Sequence, residues 1–359
     1  MEMAKDKRRA GRRALALLLL LLLLGSARAT EPLLSGDTGP SARVLVVKDP
    51  QATDAFTTRP EIIRAMVNRG VTALSGKATV GEAWRGILST QAVANLAREV
   101  VGIKVYSLPG PNSGTRPAVV AAVIEGLLAA GLAPQNIVVW DRQLVYLRLA
   151  GFSDLCDRYG VRMAGSAEAG YDTNAFYDNP LLGNLVWGDV EFGRRGEGLG
   201  RKSFVSKLLT QEITKIINVT PLLNHNLAGV SGNLYSLAMG SVDNILRFES
   251  DADRLATAVP EIYALTVLND RVVLNITDAL VCQYEGGERG LLHYSATLNE
   301  LRFSKDPVAL DALSIKELDT LRQAAGAPAI KPNIELYSNA ALLELGVSDL
   351  KRIRIDRLR

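Results

Sequence analysis

"VVGIKVYSLPGPNSGTRPAVVAAVIEGLLAAGLAPQNIVVWD", residues 100–141, decides the fold. Its first part, "VVGIKVYS" (100–107), is apolar and β-branched and reads as a strand. "LPGPNSGTRP" (108–117) is dense in Gly and Pro and reads as a loop. "AVVAAVIEGLLAAG" (118–131) reads as a buried helix stopped by Gly131. "NIVVWD" (136–141) is the next strand and closes on Asp141. Strand, helix, strand makes a βαβ unit with parallel strands. Ligands gather at the carboxyl ends of such strands, so the loop with Asn112 and Thr115 shares the candidate edge with Asp141. Thr115 lies where it could cap the helix, with Pro117 in the first turn. A helix start offers free N–H groups to an anion, although a plain well-capped helix explains the same residues. The glycine spacing is neither a Walker A loop nor a dinucleotide fingerprint.

The alternation continues on both sides. "RVLVVKDP" (43–50) reads as a strand, "RPEIIRAMVNRGVTALSG" (59–76) as a helix, and 79–99 as a second helix. Residues 151–205 are less regular, with a short helix at "GFSDLCDRYG", a strand at "VRMAG", and strand-like pieces in 171–192. The insert of about 165–205 includes a glycine and arginine loop (193–202), which reads as a solvated turn or an anion-binding flap. "TKIINVT" (214–220), "RVVLNITDAL" (271–280), "ELRFS" (300–304) and "RIRID" (352–356) read as strands. "NLYSLAMGSVDNILRFES" (233–250) and "DPVALDALSIKELDTLR" (306–322) read as helices. The class is therefore α/β, a mostly parallel or mixed sheet flanked by helices. The triplets Asn218-Val-Thr and Asn275-Ile-Thr match the glycosylation pattern but fall in strands expected to be buried.

The chain has 359 residues, 48% of them hydrophobic and 22% charged, enough for a large core in one or two domains. Its beginning sets an expectation of compartment. A basic leader, "MEMAKDKRRAGRR", precedes the apolar run Ala14 to Leu24 and the Ala27-Arg28-Ala29 cleavage pattern. That order is a secretory signal, 1–29, followed by a flexible leader, 30–42, and one α/β domain, 43–359. The apolar run is too short to span a bilayer, so no membrane span is expected after cleavage. A nearly pure leucine core fits the general secretory route, and Arg12-Arg13 leaves the twin-arginine route open. The destination is the periplasm or the exterior.

The precursor carries +3. Lys5, Lys7, Arg8, Arg9, Arg12, Arg13 and Arg28 against Glu2 and Asp6 give residues 1–29 a charge of +5, so the remainder carries −2. Nothing there favours nucleic acid as a partner. The two cysteines, Cys156 and Cys282, read as separate buried thiols; export leaves a disulfide open. Without a Cys-x-x-Cys pair, no iron–sulfur cluster or cysteine-held zinc is expected within this chain.

Several polar residues fall at strand ends or in nearby turns. They are Lys104, Asn112, Thr115, Asp141, Asn224, His225, Asn226, Asp278, Asp306 and Asp311. Gly229, Ser231 and Gly232 add a small-residue stretch that lets backbone approach a ligand. His225, Lys104 and Asp278 are the candidates for proton chemistry, and the others for ligand binding, with a divalent metal as a candidate cofactor. Asp306 also reads as a helix cap, and Asp311 as a partner for a nearby basic side chain. Lys104 interrupts an apolar strand, so it needs a partner or a purpose.

"INVTPLLNHNLAGVSGNLYSLAMGSVDNILRF" (217–248) resembles the signature of the DUF362 family, domain of unknown function 362. "GIKVYSLPGPNSGTRPAVVAAVIEGLLAAG" (102–131), "VWDR" (139–142), "NITDAL" (275–280), "SKDPVALDALS" (304–314) and "ELYSNAALLELGVSDLKRIRI" (335–355) are similar to its other elements, in order. The resemblance spans nearly all of the chain after residue 42. Against the family pattern, Leu223 replaces a Lys, Tyr235-Ser236 replaces a Lys-Asn pair, and Glu249 replaces a His found in many relatives. Some relatives carry cysteine-rich cluster segments; this sequence has none. Loss of basic side chains would weaken an anion site. Three readings remain open at this point: an exported enzyme or cofactor-handling protein acting on a small anionic ligand, a non-catalytic binding module, and an assembly factor for an envelope redox complex.

Overall fold

The computed structural model describes residues 41–88, 96–179, 202–328 and 333–358. All lie in one compact unit, Pro40–Arg359. The basic leader, the apolar run and its cleavage pattern, most of the 30–42 leader, and the 193–202 loop up to Lys202 lie outside the described residues.

In chain order the principal elements are β1 (Ala42–Lys48), α1 (Pro60–Ser75), α2 (Val80–Leu88), β2 (Val101–Val105), α3 (Pro117–Ala129) and β3 (Ile137–Asp141). Then come α4 (Leu144–Leu149), α5 (Phe152–Tyr159), β4 (Arg162–Gly165), β5 (Tyr171–Asp178) and β6 (Lys202–Ser206). The second half holds β7 (Lys215–His225), β8 (Gly229–Val230), α6 (Asn233–Ser241), α7 (Ala252–Tyr263), β9 (Val272–Gln283) and β10 (Ser295–Ser304). It ends with α8 (Pro307–Ala324), α9 (Ile334–Leu342) and β11 (Ile353–Leu358).

Eight strands form the order β11-β1-β10-β9-β7-β2-β3-β4, and β8 pairs with β7. Neighbours run parallel except at β1/β10, β10/β9 and β7/β8. The sheet is thus mixed and mostly parallel, flanked by helices, as its strand–helix alternation predicts. From β2 the chain winds outward through β3 and β4. It then returns to the other side of β2 as β7 and winds outward again through β9. The crevice beyond the carboxyl ends of β2 and β7 is therefore a topological switch point, the place where open α/β sheets bind ligands.

The period of two along β2 explains how the layers form. Val101, Ile103 and Val105 join the core built with α1, α2, α3 and α5, while Lys104 turns to the opposite layer. Trp140, Ile216 and Leu222 on neighbouring strands meet α6, α7, α8 and α9 in that second layer. Cys156 belongs to the first layer and Cys282 to the second; both are buried free thiols. Asn218 and Asn275, the glycosylation-triplet residues, are fully buried and share a hydrogen bond of 3.3 Å.

Several boundaries depart from sequence expectation. β7 runs on through "PLLNH" to His225. Its pairing with β2 ends at Val219, so Pro221 falls where β7 has lost that neighbour and the missing N–H is tolerated. The helix expected over 233–250 breaks after Ser241 because Val242 turns extended and bridges Val205, while the Asp243 carboxylate takes the Phe204 N–H at 2.6 Å. The helix expected over 79–99 is described only as α2 and a single turn at Leu96–Arg98; residues 89–95 lie outside the described residues. The 108–117 loop contains a short helical turn, Gly110–Ser113. Among the described residues no helix is long and apolar enough to cross a membrane.

Candidate functional site

A cavity of about 140 Å³ opens at the switch point. Tyr106 and Leu108 follow β2, while Asp141, Arg142 and Gln143 come from the end of β3, and Tyr146 from α4. α6 contributes Tyr235, Ser236, Met239 and Gly240, and Ile245, Glu249 and Glu288 complete the wall. Each contributor follows or caps a strand end on one edge, which is why distant segments meet there.

Asp141 forms the floor, with Lys104 buried beneath it. Lys104 is fully buried, and its Nζ donates to Asp141 Oδ1 at 2.8 Å, the Val105 carbonyl at 2.7 Å and Ser236 Oγ at 3.1 Å. An ammonium has three protons, and here all three have acceptors. Burial pulls Lys104 below its ordinary pKa, and the Asp141 carboxylate pulls it back. Asp141 Oδ2 takes the N–H and hydroxyl of Ser107 at 2.8 and 2.6 Å, and Oδ1 also takes the Arg142 N–H at 2.8 Å. α6 reaches this pair because position 240 is Gly; a Cβ there would lie 2.4 Å from Lys104 Cε.

The walls are aromatic and acidic. Tyr106 and Tyr235 stand edge to face, 6.4 Å between ring centres. The Tyr106 hydroxyl donates to Glu288, and the Tyr235 hydroxyl donates to Glu249 at 2.9 Å. Burial raises both phenols well above their ordinary range, with the neighbouring carboxylates adding to it, so both stay protonated donors. The loop carrying Glu288 is anchored from beneath. Gln283 Nε2 shares its two protons among the carbonyls of Glu285, Gly287 and Arg289, all within 2.9 Å, and Asn224 Oδ1 takes the Gly287 N–H at 3.0 Å. Asn226 is held by Asn224 at 3.3 Å.

Of the residues expected to act, Lys104 and Asp141 meet at the cavity and the rest serve elsewhere. Asp278 is fully buried against Arg116; its Oδ2 takes the Arg116 N–H, and its Oδ1 takes Arg116 Nη1 and the Leu280 N–H, at 3.1 to 3.2 Å. Arg116 also donates to the carbonyls of Asn112 and Val281. The anion expected at the start of α3 is therefore the protein's own Asp278. Thr115 does not cap that helix; its hydroxyl accepts the Tyr106 N–H and donates to the Val219 carbonyl, tying β2 to β7.

Asp311 likewise meets no basic side chain but the start of α6, taking the N–H groups of Asn233 and Leu234 at 2.7 and 2.9 Å. Burial pushes it up to about 6. Gly232 makes room, since a Cβ there would lie 2.2 Å from Asp311 Oδ1. Asp306 caps α8, as its sequence position predicts, and also takes the Val347 N–H. His225 ends β7, and Nδ1 accepts the N–H groups of Leu227 and Ala228 at 3.2 and 3.0 Å. Its ring lies 4.3 Å from that of Tyr235, behind the cavity wall. Burial lowers it to about 4, so it is neutral at pH 7 and Nδ1 is free to accept. Gly229 turns the hairpin at φ +88, and the Ser231 N–H bonds the Leu223 carbonyl. Among the described residues no group of three His, Cys, Asp or Glu side chains is placed to hold a metal ion.

Sequence reasoning missed Tyr106, Arg116, Arg142, Gln283 and Glu288. Tyr235, Ser236 and Glu249 carried a signal: each is a departure from the DUF362 pattern, and each lines the cavity.

Residues 100–316 match the family model described as "Domain of unknown function (DUF362)". A crystal structure of a protein from Thermotoga maritima is similar at 12% identity and a TM-score of 0.39, over 75% of this chain and 60% of that one. This chain thus spans less than two thirds of that relative. No curated protein matches the sequence.

Proposed function

The chain belongs to the DUF362 family, and from that premise and the geometry of its cleft we propose that it binds a small molecule without transforming it. The observation that carries this reading is the saturation of Lys104, whose three protons are held by Val105, Asp141 and Ser236. A lysine base would need a proton site to spare. The other two candidates for proton chemistry are also engaged: Asp278 by Arg116 and Leu280, and His225 Nδ1 by two backbone N–H groups. What faces the cavity is a set of recognition groups: phenols, carboxylates, a guanidinium and the Ser236 hydroxyl.

The helix starts, the one expected as an anion seat among them, support the same reading. The starts of α3, α6 and α8 are already served by Asp278, Asp311 and Asp306. A small anion would find its cation in Arg142 alone among the basic residues lining the cavity. The leader, with its basic cluster, leucine run and Ala-Arg-Ala pattern, supports work outside the cytoplasm, in the periplasm or beyond.

Native mass spectrometry of the protein purified from its own envelope fraction tests this. A small adduct on the wild type that is absent from Met239→Trp, which fills the cavity, is the expected result. Multiple turnover of any compound at this cleft, abolished by Ser236→Ala, would overturn the reading.

A further inference from the structure

Resting on the small-molecule reading above, we propose that the cleft selects a compact organic cation, an ammonium group seated among Tyr106, Tyr146, Tyr235 and the Glu288 carboxylate. The volume, about 140 Å³, is close to that of a cavity that takes one benzene ring. Three of its lining residues are tyrosines. Phenol rings attract a cation through their negative faces, and the attraction grows where water is excluded. Acidic groups complement the rings. Among the described lining residues, Asp141, Glu249 and Glu288 stand against Arg142, and Lys104 beneath the floor neutralises Asp141. Tyr106 and Tyr235 give their hydroxyl protons to Glu288 and Glu249, which fixes the rings and holds the carboxylates at the wall.

The frame that holds Glu288 is built rather than incidental. Its loop is pinned from three carbonyls by Gln283, a residue 2% exposed, and from the Gly287 N–H by fully buried Asn224. Gln283 Oε1 in turn accepts from Ser113 and from the Leu291 N–H, so the loop after β9 and the loop after β2 are locked together. A carboxylate on a loop held this firmly meets a ligand without prior ordering. Ser236, 1% exposed and oriented by Lys104 through its oxygen, is left as a donor for any polar group the cation carries.

Three probes of nearly equal size and shape separate the possibilities: tetramethylammonium, tert-butanol and sulfate. Calorimetric titration of the purified full-length protein at constant ionic strength is expected to show tetramethylammonium binding at least tenfold more tightly than tert-butanol, and no heat from sulfate. Glu288→Gln, a change of charge on an exposed residue, is expected to lower the tetramethylammonium affinity about tenfold. Equal affinity for tetramethylammonium and tert-butanol, or tighter binding of sulfate, overturns the cation assignment and leaves the small-molecule reading standing. An unchanged affinity in folded Glu288→Gln overturns it too. If none of the three binds, the cation assignment falls, and the small-molecule reading is decided by the native mass spectrum.

Discussion

Lys104 shows how a single buried charge can be fully accounted for. An uncompensated ammonium in a core is far too costly to persist, and this one has a carboxylate at 2.8 Å and two further acceptors. Removing one partner of such a pair costs about 3–5 kcal/mol, whereas replacing both with apolar groups is often tolerated. Lys104→Met is therefore expected to lose stability on that scale in urea denaturation, and Lys104→Met with Asp141→Leu to recover part of the loss. Equal losses in the single and double variants would show that the pair is not what confers the sensitivity.

His225 makes a second prediction, in pH. The folded ring titrates near 4 against an ordinary 6.5, so its contribution to stability is present above pH 6.5 and is lost as pH falls toward 4. Asp311 runs the other way: raised from 3.8 to about 6, it contributes most below pH 4 and loses that contribution as pH rises through 6. His225→Asn keeps an acceptor for the turn without a titrating ring. Its unfolding free energy relative to wild type should rise between pH 7 and pH 5; parallel pH profiles would contradict the assignment. That Lys104 had a partner was legible in the sequence, because a lysine in an apolar strand demands one. That His225 serves its own hairpin was not, since nothing in "NHNLAG" separates a turn acceptor from a reactive ring.

At the scale of elements, α6 is the piece that makes the cleft. Its two ends approach buried carboxylate sites through glycine: Gly232 over Asp311 and Gly240 over Lys104. In an exposed helix, Gly→Ala gains about 1 kcal/mol of propensity. Here the new methyl would meet Lys104 Cε at 2.4 Å, and overpacking costs of about 1–3 kcal/mol outweigh the gain. Gly240→Ala should therefore lower the melting temperature; a rise would mean that α6 sits farther from β2 than described. The sequence revealed α6 as a helix after a strand but not its end at Ser241, because the break depends on Val242 bridging a strand distant in sequence. Tyr235, Ser236 and Glu249 read in sequence as losses from a basic site. In the fold they are the wall of the cavity, with the Tyr235 hydroxyl on α6 paired to the Glu249 carboxylate on the short helix that follows.

For the whole molecule, strand order places the cavity at one edge of the sheet. The βαβ unit of residues 100–141 was enough to infer parallel strands and to put Asp141 at the strand-end edge where the cavity opens. The division of labour among the acidic residues was not: Asp141 pairs with Lys104, while Asp278, Asp311 and Asp306 each meet a different helix start. The two layers can be followed independently by their thiols. Burial raises Cys156 to about 12 and Cys282 to about 11, one on each side of the sheet. Neither should react with a thiol reagent in the folded protein at pH 7.5, and in rising urea both should become reactive at the same midpoint. Reaction of one well before the other would show that the two layers unfold separately.

Met239, in the wall of the switch-point cavity, reports directly on whether a small molecule enters it. With methionine methyl groups labelled for NMR, titration with tetramethylammonium should move the Met239 resonance and leave those of Met66 and Met163, in the layer on the other side of the sheet, where they are. A Met239 signal that stays still while the probe binds elsewhere would put the binding site outside the cavity and overturn the proposed role of the cleft.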